Sequence, residues 1–405
     1  MGRYSGTLHK LIESACNSDS KKKWDQVLFY LEGHTISNAK IAEPPVFESP
    51  LAPSMIPSVE LECELFDQQC SKNGKKEDTP LKIAITAAPA NVIAALCHLG
   101  PEASRMVDSR ERLPIHVACR RSSEDPQTEK VLMVLAKCNP ESMLHRDDCG
   151  RTPLHCLFLF HAKSRSSSII RFFCQEMPFD LFTIIRQPHM ASNEKNPLPE
   201  IPHPNEKEEI PQSAAIVHDS CHGAIPLHYA VMQGASKEVL RALIDDYPGS
   251  TAVGDRRGRT ALAWYLGAGS LMERKKTNVC GQVNDSNVTP WWHTRLSIQL
   301  IQLLVSSKAA RMVDRDTNRT PLHWACHFFA RSATSASDTV VHSQVGPNIS
   351  NKIFQIILDH NIEAVTFQDI NGETRKFIMC IQCGILFLYY FIWRLFQYCN
   401  VRPHH

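Results

Sequence analysis

The chain has 405 residues, enough for two or three globular domains or for one elongated array. Its 43% apolar and 21% charged content is that of a folded protein, which excludes a wholly disordered chain. A formal net charge of +2 gives no overall basic surface, so nucleic acid is not the expected partner, and 15 dispersed cysteines do not suggest a small disulfide scaffold.

The N-terminal stretch MGRYSGTLHKLIESACNSD has no apolar core of signal-peptide length, and Gly6 stands where myristoylation needs Ser or Thr. The expected location is therefore cytoplasmic or nuclear, with reduced thiols. Residues 1–34 contain LHKLIESA and WDQVLFYLEG, which read as a helix pair. Residues 35–78 include the proline-rich EPPVFESPLAPSMIPS and end in a charged run, so they read as a mobile linker.

From 79 to 374 one pattern recurs: DTPLKIAI, RLPIHVAC, RTPLHCLF, AIPLHYAV, RTALAWYL and RTPLHWAC. With the Thr position as marker, the copies start at Thr79, Leu113, Thr152, Ile225, Thr260 and Thr320, with a further start at Thr374. Successive starts lie 34, 39, 73, 35, 60 and 54 residues apart, so the longer intervals read as the same unit carrying an insertion. Thr followed by Pro (Thr79 and Pro80, Thr152 and Pro153, Thr320 and Pro321, with Pro114 and Pro226 in the other copies) is a helix start. The hydroxyl can accept from an unpaired N–H, and proline has no N–H to lose. A second apolar run of helical spacing follows each start, as in NVIAALCHLG, TEKVLMVLAKC, KEVLRALIDDYP, RLSIQLIQLLV and NKIFQIILDH. Between units lies a polar turn. Two residues before each start stand Glu111, Gly150, Gly223, Gly258, Asn318 and Gly372, mostly types that tolerate positive φ. Asp recurs five before it, at Asp108, Asp147, Asp255 and Asp369.

These copies resemble the ankyrin repeat, with its period near 33 residues and Thr-Pro-Leu-His signature. The resemblance implies an all-α fold, an α-solenoid of about seven helix pairs with hairpin-like fingers and long loop insertions. Residues 1–34 are then an atypical capping pair. The insertions fall near 187–218, 267–293 and 331–349, the last two between the paired helices of single repeats. The family's known role implies a non-catalytic adaptor or scaffold that holds an unidentified protein partner through its fingers and concave face. Neither a small-molecule substrate nor a cofactor is implied. The contact positions carried over are Arg110, Glu111, Asp148, Arg256, Arg257, Asn318 and Arg319 in the fingers, with Tyr229 and Trp324 as exposed first-helix positions. His116, His155, His228 and His323 share one place in the repeat, where the family's histidine bonds within and between fingers.

His155 beside Cys156 could be taken for a nucleophile and its base, but histidines repeated along an array are better read as structural. Cys119, Cys156 and Cys326 are read as one small-residue slot. Cys221 and His222 have no second pair at zinc spacing, so no metal site is expected. No phosphate-binding GxxxxGK[ST], no GxSxG and no HExxH is present. Arg110, Arg256, Arg257, Arg259, Arg315 and Arg319 cluster in the fingers, either as a solvated rim or as a basic strip that meets an acidic partner. Pro199 and Pro202 form a PxxP within a loop that otherwise reads as a connector.

The tail, residues 375–405, abandons the signature after Thr374. Its apolar run 377–393 is at the lower limit of a membrane span and is flanked by Arg375, Lys376 and Arg394. Three readings stand: a membrane anchor holding the array in the cytosol, a degenerate last helix pair, or a stretch that is no element of the fold.

Overall fold

The computed structural model of the chain describes residues 7–18, 20–37, 49, 51, 55–66, 79–122, 125–161, 166–175, 213–267, 297–334, 347–365 and 367–370. They are mostly helical and belong to two units, one up to Ser220 and one from Cys221 onward. The tail 375–405 with its apolar run 377–393, Gly372, Thr374, the PxxP motif and most of the three insertions lie outside the described residues. No helix among the described residues is long and apolar enough to cross a membrane.

The first unit opens with α1 (Thr7–Cys16) and α2 (Lys21–Gly33), which pack on each other through Leu8, Ile12, Ala15, Trp24, Val27 and Leu31. Three pairs follow: α4 (Pro80–Ile85) with α5 (Ala90–Leu99), α6 (Pro114–Ala118) with α7 (Thr128–Cys138), and α8 (Pro153–His161) with α9 (Ser167–Gln175). Like packs on like across neighbouring pairs, α4 on α6 and α5 on α7. The second unit repeats the scheme with α10 (Pro226–Met232) and α11 (Lys237–Asp246), α12 (Ala261–Tyr265) and α13 (Ile298–Leu304), then α14 (Ser307–Arg311), α15 (Pro321–Thr334) and α16 (Pro347–His360).

Each first helix begins at the residue after the marker, which is proline in all but the helix starting at Ala261. Thr79 and Thr260 cap their helices through the side-chain oxygen, accepting from the N–H of Lys82 and of Ala263. These helices are one to two turns long in four of the six repeats, too short to persist alone. They hold because they are buried nearly all round. Leu81, Ile85, Ile115, Leu154, Leu227 and Leu262 are each buried, a transfer gain of about 2 kcal/mol per side chain. Short 3₁₀ turns, Pro101–Arg105, Pro140–Met143 and Pro248–Ala252, carry the chain from a second helix to the next finger. The sequence pattern did not mark them.

The structure corrects three expectations. Part of the 35–78 linker is ordered structure: β1 (Thr35–Ser37) pairs antiparallel with β2 (Met55–Pro57), and α3 (Val59–Phe66) follows. Leu61 and Leu65, four apart, bury one face of α3, and Glu64 on it accepts from the N–H groups of Thr7 and Leu8 at 3.2 Å each. The 331–349 insertion is shorter than expected, because α15 runs on to Thr334 and α16 begins at Pro347. Cys156 does not share a slot with Cys119 and Cys326: it stands four residues after its marker, whereas they stand six after theirs.

Candidate functional site

The fingers are built by one aspartate each. In the first unit Asp108 Oδ1 accepts from the N–H groups of Arg110 and Arg112, and Asp147 Oδ1 from those of Cys149 and Arg151. In the second unit Asp255 Oδ1 does the same for Arg257 and Arg259, and Asp314 Oδ1 for Asp316. This fold-back closes a hairpin whose ends pair, as in Asp255 N–H to the Arg259 carbonyl at 2.8 Å. The turn residue is left-handed in every described copy: Glu111 at φ 56°, Gly150 at 70°, Gly223 at 63°, Gly258 at 83° and Asn318 at 54°. Glu111, the exception by residue type, adopts the conformation all the same. The finger at Asp314 is one residue longer, so its aspartate lies six rather than five before the marker and escaped the sequence pattern.

Neighbouring fingers join through single backbone bonds. The Asp148 N–H donates to the Arg110 carbonyl at 3.0 Å, and the Ser220 N–H to that of Cys149 at 2.9 Å. In the second unit Arg256 donates to His222 at 2.7 Å and Arg315 to Arg257 at 2.8 Å. The glycines make this approach feasible, since a Cβ on Gly258 would lie 2.7 Å from the Val313 carbonyl oxygen.

The repeated histidines brace this row. His228 takes the Ile225 N–H on Nδ1 at 3.3 Å and donates from Nε2 to the Arg259 carbonyl of the next finger at 3.0 Å. His116 Nε2 lies 3.2 Å from both the His145 and Arg151 carbonyls of the following repeat. His155 and His323 meet their marker threonines, Nδ1 lying 2.9 Å from the Thr152 hydroxyl and 2.8 Å from that of Thr320. Lys82 stands at the histidine position of its repeat, and its ammonium reaches Asp108 of the next finger at 3.8 Å. Arg121, also buried, donates to the carbonyls of Ile85 and Ala88 in the preceding repeat and pairs with Asp125. Neither Lys82 nor Arg121 was legible, because the partners lie too far along the chain for spacing to reveal.

His155 and Cys156 do not form a nucleophile and base. Burial pushes the Cys156 thiol up to about 12, and His155 Nδ1 is occupied by Thr152. Asp147, Asp148 and Cys149 bring three ligand atoms together, but Asp147 already holds Arg151 through two guanidinium bonds.

Of the expected contact residues, Arg110, Glu111, Asp148 and Arg256 are exposed at the fingertips. Arg257 is half-buried and pairs with Asp316 at 3.0 Å. Asn318 donates its amide to the Gln368 carbonyl at 2.6 Å, and Arg319 pairs with Asp369 while lying over the Trp324 ring. Those two act inside the fingers. Tyr229 and Trp324 are not exposed but 5% and 1% accessible, because four residues after the marker a short first helix faces the core. The expected basic strip shrinks likewise: Arg259 is buried against Asp255, and only Arg110, Arg256 and Arg315 expose themselves at the tips.

Sequence reasoning missed Arg120. Its guanidinium lies 4.9 Å from the Phe160 ring centroid. Burial, then the neighbouring charges of Arg112, Arg110 and Arg151, weaken its hold on its proton. Arg112 and Arg151 are offset by Asp108 and Asp147. Arg110 and Arg120 are exposed in the first unit, as are Glu111 and Asp148.

No family model and no curated protein matches the chain. Among solved structures it is similar to the ankyrin repeat domain of Bcl-3, described as a unique member of the IkappaB protein family. The two are 16% identical, the match covers 78% of this chain and 92% of that one, and the TM-score is 0.35. A superposition that loose carries no weight by itself.

Proposed function

We propose that this chain is an ankyrin-repeat adaptor or scaffold, without catalysis of its own, that holds an acidic segment of a protein partner against its fingertips. The repeat architecture, about seven helix pairs including the N-terminal one, is part of this proposal. The observation that carries the binding reading is the exposure of Arg110 and of Arg120, whose guanidinium lies over the Phe160 ring. A carboxylate-rich partner complements these two exposed positive charges on docking. The rest of the finger is committed to structure, which leaves the tips free to differ in sequence. The proposed location is cytoplasmic or nuclear. No observation on the described residues favours a membrane-tethered reading.

The test is fluorescence anisotropy of the full chain against acidic and charge-reversed peptide sets. Charge reversal at Arg110 and Arg120 together should weaken acidic-peptide binding by about a hundredfold, roughly 1.4 kcal/mol per decade, and more so at low salt. Equal binding of acidic and basic sets by the unaltered chain would overturn the reading.

A further inference from the structure

Two thiols from adjacent repeats meet where the second helices of the first unit end. Cys97, on the last turn of α5, is buried, and Cys138, the final residue of α7, is partly exposed. The Cys138 sulfur lies 3.9 Å from the Cys97 carbonyl oxygen and 3.6 Å from the Ser104 hydroxyl. The two thiols also interact with each other at this junction. Asn139 fixes the junction by donating its amide to the Ser104 carbonyl at 3.2 Å. The repeat does not ask for sulfur here, since the matching positions of α11 are Ile244 and Asp246.

We infer that Cys97 and Cys138 are a peroxide-responsive pair that closes to a disulfide and staples these two repeats together. Cys138 is the attacking sulfur. The hydrogen bond from the Cys97 thiol holds the Cys138 thiol below its usual range, against the opposing effect of burial, with help from Ser104 and Arg105. Cys97 is pushed well above the usual range by the same bond and by complete burial, so it stays protonated and resolves the intermediate.

The Cys138 thiolate attacks one oxygen of hydrogen peroxide and the O–O bond breaks. This gives the Cys138 sulfenic acid and a hydroxide, which takes up the proton Cys138 had released and becomes water. The Cys97 sulfur then attacks the Cys138 sulfur, the S–O bond breaks, and the departing hydroxide leaves as water with the Cys97 proton. Two thiols supply two electrons, one peroxide is reduced to two waters, and one disulfide forms. The finger carrying Arg110 lies inside the closed loop. The inference stands apart from the binding proposal, because it needs only the two sulfurs.

The experiment uses the reduced full-length chain treated with a small excess of hydrogen peroxide. Remaining thiols are alkylated, and the chain is digested without reductant for mass spectrometry. The expected product is a linked Cys97–Cys138 peptide pair that a dithiol reductant releases. In Cys97→Ser the expected product is a Cys138 sulfenic acid, trapped by dimedone about tenfold faster than exposed Cys63 reacts. Cys138→Ser should give neither product. Oxidation of Cys63 with no linked pair in the unaltered chain would overturn the inference. So would dimedone labelling of Cys138 no faster than that of Cys63.

Discussion

Truncating His228 to alanine tests whether the repeated histidine is a brace or a contact residue. The imidazole satisfies two buried backbone groups, the Ile225 N–H at 3.3 Å and the Arg259 carbonyl at 3.0 Å. It also packs edge-on against Trp264, ring centroids 5.1 Å apart. Alanine leaves both backbone groups unpaired in a site that water does not reach, at about 1–1.5 kcal/mol each, and the lost packing adds about 1 kcal/mol. The expected loss is therefore about 3–4 kcal/mol, a large part of the stability of a unit this size. In urea denaturation of the full chain followed by circular dichroism, the second-unit transition should fall by about 1.5–2 M for a slope near 2 kcal/mol/M. His228→Gln can restore a donor toward Arg259 but not both bonds, so it should recover about 1 kcal/mol. A midpoint unchanged by the alanine substitution, together with lost partner binding, would refute the structural assignment.

Burial pulls the His116 pKa to about 4, so the folded chain resists protonation there more than the unfolded one. With a folded value below the unfolded one, near 6.5, the stabilisation is complete above pH 6.5 and is lost as pH falls toward 4. The contribution lost by pH 5 is about 2 kcal/mol. Urea midpoints at pH 7 and pH 5 should therefore drop further in the unaltered chain than in His116→Gln, and equal drops would count against it. Glu111 holds φ 56° where other fingers use glycine, so Glu111→Gly should raise stability by up to about 1 kcal/mol, read as a higher melting temperature. A lower one would show that the side chain matters more than the strain. Asp255→Asn strips the counter-charge from Arg259, which is 2% exposed, and should cost about 3–5 kcal/mol. Asp316→Asn faces the more exposed Arg257 and should cost no more than about 1 kcal/mol in the same denaturation series.

Local chemistry was legible in the sequence and tertiary partnership was not. Proline after the marker placed the helix start in five of the six described copies, and the turn position foretold positive φ at Gly150, Gly223, Gly258 and Asn318. These features depend on residues within a few positions of each other. Lys82 and Arg121 act on atoms roughly one repeat away, which no single copy of the motif encodes. The segment at α3 was hidden by the prolines before it, although Ser58 caps it and Leu61 and Leu65 share a helical face. Tyr229 and Trp324, carried over from the ankyrin resemblance as exposed positions, are buried instead, while Asn318 and Arg319 each bond within the fingers. What remains for recognition is narrower, the tip residues whose backbones make the ladder while their side chains point outward.

The most direct measurement of the central claim compares affinity capture by the unaltered full chain with capture by Arg110→Glu/Arg120→Glu and by His228→Ala. Quantitative proteomics reads the bound proteins, and circular dichroism reads the fold. The account predicts that acidic partners fall about a hundredfold in the double charge reversal while its denaturation midpoint stays put. His228→Ala should lower the second-unit midpoint and leave partners held by Arg110 and Arg120 in place. Undiminished capture by the folded charge-reversed chain would contradict the account.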